Sequence, residues 1–220
     1  MAELSPSSKI LVLISGNGSN LQALIDAADT PKLPSTQIIR VISNRKDAYG
    51  RTRAKNAGIP DSYHNLVAYK KQQPATPEGI ATARENYDQD LAKMIIDDQP
   101  DLVVCAGWMH ILSSTFVDML AGAGIGIINL HPAKPKEFNG AHAIERAYEA
   151  FQKGLIEETG IMMHYVISEV DMGEPILVKS IQISNDESLE QLEQRIHESE
   201  WGLIVEGTRI ALEKIRNEKA

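Results

Sequence analysis

Short apolar runs of strand length recur along this chain, and between them apolar residues return at helical spacing. That alternation is the strongest constraint on the fold, because strand–helix–strand units pack as a parallel sheet with helices on both faces. The first run, Ile10-Leu11-Val12-Leu13-Ile14, is uninterrupted, the pattern of a strand buried on both faces. A glycine-rich turn follows, Ser15-Gly16-Asn17-Gly18-Ser19-Asn20, and then Leu21, Leu24, Ile25 and Ala28 at helical spacing. The second strand is predicted over 38–42, then a short helix over 50–57 and a brief strand over 61–65. Residues 72–79, with Pro74 and Pro77, read as loop. Tyr87, Leu91, Met94 and Ile95 define an amphipathic helix ending near Pro100, with Arg84 in its first turn. A strand over 101–105, a helix capped by Ser113 or Ser114 and running to Leu120, and a strand over 125–130 come next. A loop over 132–140 leads into a helix over 141–153.

Two further strands, 159–168 and 175–183, lie too close in sequence for a helical crossover, so they are predicted antiparallel. Ser184-Asn185-Asp186-Glu187 has the form of a capping box for the last helix, whose apolar stripe is Leu189, Leu192, Ile196 and Leu203. Glu200 falls on that stripe, where a carboxylate needs either a protein cation or a ligand. The expected fold is α/β: a Rossmann-like, doubly wound, mostly parallel sheet with an antiparallel strand pair near the C-terminus. One domain over 1–220 is expected, with 1–8 as a flexible leader.

The net charge of −8 disfavours nucleic acid as the main partner. A single cysteine, Cys105, closes an apolar strand; it forbids an internal disulfide and fits a reducing compartment, so a cytoplasmic protein is expected. No apolar run has the length of a membrane span, and the first eight residues lack a signal-peptide pattern.

Ligands on doubly wound sheets bind where strands end. Three polar or glycine-rich strand exits stand out: 16–20, 108–112 and Asn129-Leu130-His131. Asn129 and His131 are two apart in a strand and point the same way, an amide donor beside an imidazole. The first turn fits two glycines of a dinucleotide fingerprint but has Leu21 in the third position, and no acid ends the second strand. A nicotinamide cofactor is therefore disfavoured, and a loop of backbone N–H groups suited to a single phosphate remains. His131, His142, His164 and Asp171 lack metal-ligand spacing, so no metal is expected, and His164 reads as a structural histidine. No nucleophile elbow is present. Asp171 lies in a turn between the two antiparallel strands. A functional role there requires it to fold back on His131, where it would raise the histidine pKa.

Ile14-Ser15-Gly16-Asn17-Gly18-Ser19-Asn20-Leu21-Gln22-Ala23, Ala106-Gly107-Trp108-Met109-His110-Ile111-Leu112, Ile128-Asn129-Leu130-His131-Pro132 and Val170-Asp171-Met172-Gly173-Glu174-Pro175-Ile176 occur in this order. Together they resemble the phosphoribosylglycinamide (GAR) formyltransferases, a branch of the 10-formyltetrahydrofolate-dependent formyltransferases, and look most like the fungal members. The resemblance implies 10-formyltetrahydrofolate as cosubstrate and GAR as formyl acceptor, in de novo purine synthesis. It implies catalytic roles for Asn129, His131 and Asp171. Gly18, Ser19 and Asn20 would hold the GAR phosphate, with Glu200 near its ribose or glycinamide. Arg84, Met109, His110, Ile111, Leu112 and Asn129 would face the folate, with Ile167, Ser168, Glu169, Val170 and Asp171 around its pterin. A monomer or weak homodimer is expected. Many family members carry Arg at the position of His110, and the loop 132–140 and Glu174 also depart from the common pattern.

Relatives with the same Asn–His–Asp chemistry compete with this reading. A methionyl-tRNA formyltransferase is disfavoured by the acidic charge and the single final helix, and a formyltetrahydrofolate deformylase by the lack of an extra N-terminal domain. A non-catalytic nucleotide-binding module is disfavoured by the intact Asn129, His131 and Asp171.

Overall fold

The structure is a computed structural model and describes residues 7–219. The leader predicted over 1–8 falls mostly outside the described residues, and Ser8 already begins the first strand. In chain order the elements are β1 (Ser8–Ile14), α1 (Ser19–Ala27), β2 (Thr36–Ser43), α2 (Tyr49–Asn56), β3 (Asp61–Tyr63), α3 (Leu66–Lys70) and α4 (Pro77–Asp98). There follow β4 (Leu102–Cys105), α5 (Ser114–Gly122), β5 (Gly126–His131), α6 (Ala143–Gln152), β6 (Glu158–Tyr165), β7 (Pro175–Gln182) and α7 (Leu189–Lys219).

The strands form one seven-stranded sheet in the order β3-β2-β1-β4-β5-β6-β7. β1 pairs in parallel with β2 and β4, and β4 with β5. β6 runs antiparallel to β7, as the short connection between them predicts, and antiparallel to β5 as well. The chain winds outward from β1 to β3, then restarts at β4 on the other side of β1. The switch point is therefore between β1 and β4, where doubly wound sheets open a crevice.

The uninterrupted apolar run of β1 has a direct structural cause. Ile10, Val12 and Ile14 join one core, with Leu21 and Leu24 of α1 and Leu192, Ile196 and Ile204 of α7. Leu11 and Leu13 face the opposite core, with Tyr87, Leu91 and Ile95 of α4 and Phe116 and Leu120 of α5. Both faces are covered, so neither side of the strand tolerates polar residues. Cys105 is buried in the second core, and burial pushes its thiol up to about 12, which leaves it protonated and inert. No helix among the described residues is long and apolar enough to cross a membrane.

Three local expectations are corrected. The loop predicted over 72–79 gives way at Pro77, which opens the 22-residue α4 as a first-turn proline, with Thr76 Oγ1 accepting from the Gly79 N–H at 3.1 Å. Arg84 consequently lies about two turns into α4 rather than in its first turn. Its charge does not oppose the helix dipole there, because that effect fades beyond the first turn. The capping box of α7 lies four residues downstream of the predicted one. Ser188 Oγ accepts from the Gln191 N–H, and Gln191 Oε1 accepts from the Ser188 N–H at 2.8 Å. Ser184 and Glu187 form a separate turn upstream, in which Glu187 accepts from the Ser184 N–H. The short α3 was not anticipated from the sequence.

Candidate active site

The crevice is assembled from strand ends that fasten to one another. The Ser15 N–H, just past β1, donates to the Gly107 carbonyl at 3.0 Å, and Ser15 Oγ accepts from the Met109 N–H at 2.8 Å. The glycine-rich turn and the segment after β4 are thus one unit. Gly18 takes φ 77°, a left-handed conformation suited to glycine, and α1 begins immediately after it with no side-chain cap. The first N–H groups of α1 consequently face the crevice side without a capping side chain, as an anion-binding turn requires. Asn20 Nδ2 donates to Glu200 Oε2 at 3.0 Å, joining α1 to α7. Glu200 is only 6% exposed, and burial raises its pKa, partly offset by the Asn20 bond. Its closest partner is an amide rather than the cation or ligand that the sequence pattern suggested.

At the end of β5, Asn129 and His131 point the same way, and Asp171 does fold back to meet them. Asp171 Oδ2 lies 3.4 Å from His131 Nδ1, and Asp171 Oδ1 lies 3.4 Å from Asn129 Nδ2. The Gly140 N–H donates to Asp171 Oδ2 at 2.7 Å, so the loop after β5 closes over the carboxylate. The Arg146 side chain of α6 holds that loop through the carbonyls of Phe138 and Asn139. Asp171 itself has φ 56°, a costly backbone for a non-glycine residue and a kind of strain that collects at functional sites.

His164, read from the sequence as structural, belongs to this cluster. It is buried on β6 directly opposite Asn129. Its Nδ1 donates to the Tyr165 carbonyl at 2.9 Å, and its Nε2 lies 3.1 Å from Asn129 Nδ2. Asp171 Oδ1 is also 3.5 Å from that nitrogen, so the His164 ring sits against both the amide and the carboxylate. The cross-strand pairing of β5 with β6 creates this contact, and one sequence cannot reveal a register between residues 35 apart.

The electrostatics differ from the sequence expectation. Burial pulls the His131 pKa below its ordinary value, and the neighbouring Asp171 charge opposes this without reversing it. His131 therefore rests neutral. Because Nδ1 faces a carboxylate, the proton sits there, and Nε2 carries the lone pair. Nε2 is buried and has no protein partner. Burial raises the Asp171 pKa, but His164, the Gly140 N–H and His131 together outweigh it, and the carboxyl titrates below its ordinary range.

The remaining predicted residues line the rim. Met109 is 81% exposed and Ile111 57% exposed, while Ile167, Val170 and Met172 are exposed on the β6–β7 connection. Arg84 reaches the Ile111 carbonyl at 3.4 Å, so the arginine and the 109–112 segment do meet. His110 turns inward instead: its Nε2 lies 2.7 Å from Asp88 Oδ1, and Asp88 Oδ2 accepts from the Ser113 N–H at 2.8 Å. Its side chain is buried against α4, so its backbone and not its ring is available at the rim. Gly173 was not singled out from the sequence. A Cβ there would lie 1.6 Å from the Tyr165 carbonyl oxygen, so only glycine lets the connection pack this closely. Among the described residues no group of side chains is arranged to hold a metal ion.

A family model described as formyl transferase matches residues 8–208. A Schizosaccharomyces pombe protein named phosphoribosylglycinamide formyltransferase is 52% identical over 90% of this chain and 93% of its own length. The Saccharomyces cerevisiae protein of the same name is 46% identical over 94% and 98%, while an Escherichia coli one is 38% identical over 88% and 82%. Among solved structures, a phosphoribosylglycinamide formyltransferase from Streptococcus pneumoniae superposes with a TM-score of 0.76 at 31% identity, covering 93% of this chain and 99% of that one. Sheet order, the strand-end cluster and these likenesses agree that the chain belongs to the formyl transferase family.

Proposed function

We propose that this protein transfers the formyl group of 10-formyltetrahydrofolate to the amine of GAR, giving formyl-GAR and tetrahydrofolate in purine biosynthesis. The observation that carries the proposal is the meeting of Asn129, His131 and Asp171, with the Nε2 atom of the buried imidazole unpartnered. The fungal and bacterial relatives that bear the corresponding name support the choice of acceptor.

The chemistry follows from the geometry. The GAR amine attacks the formyl carbon, and negative charge develops on the formyl oxygen. Asn129 has two amide hydrogens. The one directed at His164 is firmly held, while the 3.4 Å contact to Asp171 is weak enough for a substrate oxygen to replace. That N–H then stabilises the oxyanion. As the new C–N bond forms, His131 Nε2 takes the amine proton, and Asp171 stabilises the imidazolium across Nδ1. The imidazolium returns the proton to the folate nitrogen as the old C–N bond breaks, which restores neutral His131. A neutral resting histidine suits this cycle better than a charged one, because the base must first accept.

In this reading the N–H groups at Gly18, Ser19 and Asn20 take the GAR phosphate, and Glu200 handles its ribose or glycinamide end. Met109, Ile111, Leu112 and Arg84, the His110 backbone and the connection from Ile167 through Ser168, Glu169, Val170 to Asp171 hold the folate. The protein is a cytoplasmic monomer or weak homodimer, a state that sedimentation would test. The deciding experiment incubates the protein with GAR and 10-formyltetrahydrofolate. Formyl-GAR should accumulate with tetrahydrofolate in equal amounts; formate as the only one-carbon product would overturn the assignment.

A further inference from the structure

The N-terminal half of α2 lies directly behind the glycine-rich turn and grips it by its carbonyls. The Gly50 N–H donates to the Gly16 carbonyl at 3.1 Å. Arg53 Nε donates to the Asn17 carbonyl at 3.0 Å, and its other nitrogens reach Asn17 Oδ1 at 2.9 Å and Gln22 Oε1 at 3.2 Å. The Tyr49 ring lies 5.0 Å beneath the same guanidinium. All three nitrogens therefore bond protein groups in and beside the turn, which fixes the plane of the guanidinium.

The direction of these bonds matters. No peptide bond among the described residues is cis. In a trans peptide unit the C=O and the following N–H point in opposite directions. Holding the Gly16 carbonyl against α2 turns the Asn17 N–H away from α2. Holding the Asn17 carbonyl against Arg53 does the same to the Gly18 N–H. Two successive N–H groups are thereby aimed to the side opposite α2, in line with the uncapped first turn of α1. Close packing fixes the separation: a Cβ on Gly18 would lie 2.6 Å from the Gly50 Cα.

We infer that Gly50 and Arg53 are positioning residues for phosphate recognition, acting by orienting the Gly16–Asn17 and Asn17–Gly18 peptide units. The inference rests on the reading of the turn as the GAR phosphate site. Arg53 serves as a planar fork that bonds several acceptors at once, which a lysine cannot imitate.

The test compares GAR with glycinamide riboside, its dephosphorylated form, as acceptors for the wild type, Arg53→Gln and Arg53→Lys. In the wild type, kcat/KM should strongly favour GAR. In both variants the GAR KM should rise by roughly ten- to hundred-fold, the KM for 10-formyltetrahydrofolate should hold, and the preference for the phosphorylated acceptor should collapse. Recovery by Arg53→Lys would mean that the charge attracts the phosphate over a distance, and would overturn the positioning role. Equal losses on GAR and riboside would reduce Arg53 to general structural support and overturn it too. A wild type that does not distinguish the two acceptors would instead remove the phosphate reading, and the inference with it. Gly50→Ala supplies a second route, since its Cβ would meet Ile14 Cδ1 at 2.5 Å and Gly18 Cα at 3.3 Å; the same loss of acceptor preference is expected.

Discussion

At the level of single residues, the proton inventory of His131 decides how the site can work. Its pKa is depressed by burial and partly restored by Asp171. Activity that needs the neutral form should hold above the ordinary histidine range and fall only at lower pH. Replacing Asp171 with Asn removes the contribution that raises this pKa, so the acidic limb of kcat/KM should move to lower pH while the maximal rate drops for want of imidazolium stabilisation. A pH–rate profile in which the limb of Asp171→Asn coincides with that of the wild type would separate Asp171 from His131 tuning. Asn129→Ala and His131→Ala should each lower kcat by on the order of 10²–10³, with GAR binding by calorimetry largely kept. The reason is that both side chains act on charge and protons that arise after binding. If GAR affinity fell in step with kcat, these two residues would be binding groups rather than catalytic ones.

At the level of elements, the connection between β6 and β7 carries the carboxylate, and its shape depends on Gly173. Gly173→Ala places a methyl group against the Tyr165 carbonyl, which must move, and Asp171 two residues earlier must move with it. Such overpacking costs about 1–3 kcal/mol, a fall in Tm of several degrees for a chain of this size. Turnover should drop far more than stability does. Calorimetry and steady-state kinetics on the same preparation check both; a normal rate would show that the connection has slack. The strands and amphipathic helices were legible in the sequence because each is written in local periodicity: β1 as an apolar run, α4 as Tyr87, Leu91 and Ile95, β6 and β7 as two runs too close for a crossover. The glycine-rich turn and the Asn129–His131 pair were legible because each is contiguous. What escaped was non-local. His164 enters the site through strand register, Gly50 and Gly173 matter through close approach to distant backbone, and the resting charge of His131 depends on burial that no short window reports. Thr76 with Pro77 at a helix start, and the competing boxes at Ser184 and Ser188, show that end signals are local but ambiguous when two occur within a few residues.

At the level of the whole molecule, α7 packs along α1, β6 and β7, and its 31 residues carry Glu200 into the interior beside the glycine-rich turn. No basic side chain among the described residues forms an ion pair with it; Asn20 is its hydrogen-bond partner. Burial raises the Glu200 pKa above its ordinary value. The sign of the consequence follows from linkage. The folded state favours the protonated acid, so its stabilising effect is fully present below the unfolded pKa and is lost as pH rises through the folded one. Above the unfolded pKa the group therefore weakens the fold. Glu200→Gln keeps the shape and an acceptor for Asn20 without the charge. Its urea midpoint should exceed that of the wild type at pH 8 and converge with it near pH 4, other titrations cancelling because both proteins share them. The same variant should handle GAR less well, the trade expected where a fold retains a destabilising group for its ligand. Denaturation curves at the two pH values, beside GAR titrations, test both halves. A variant less stable than the wild type at pH 8 would mean that the Asn20 bond outweighs the buried charge, and that Glu200 holds α1 to α7 rather than waiting for substrate.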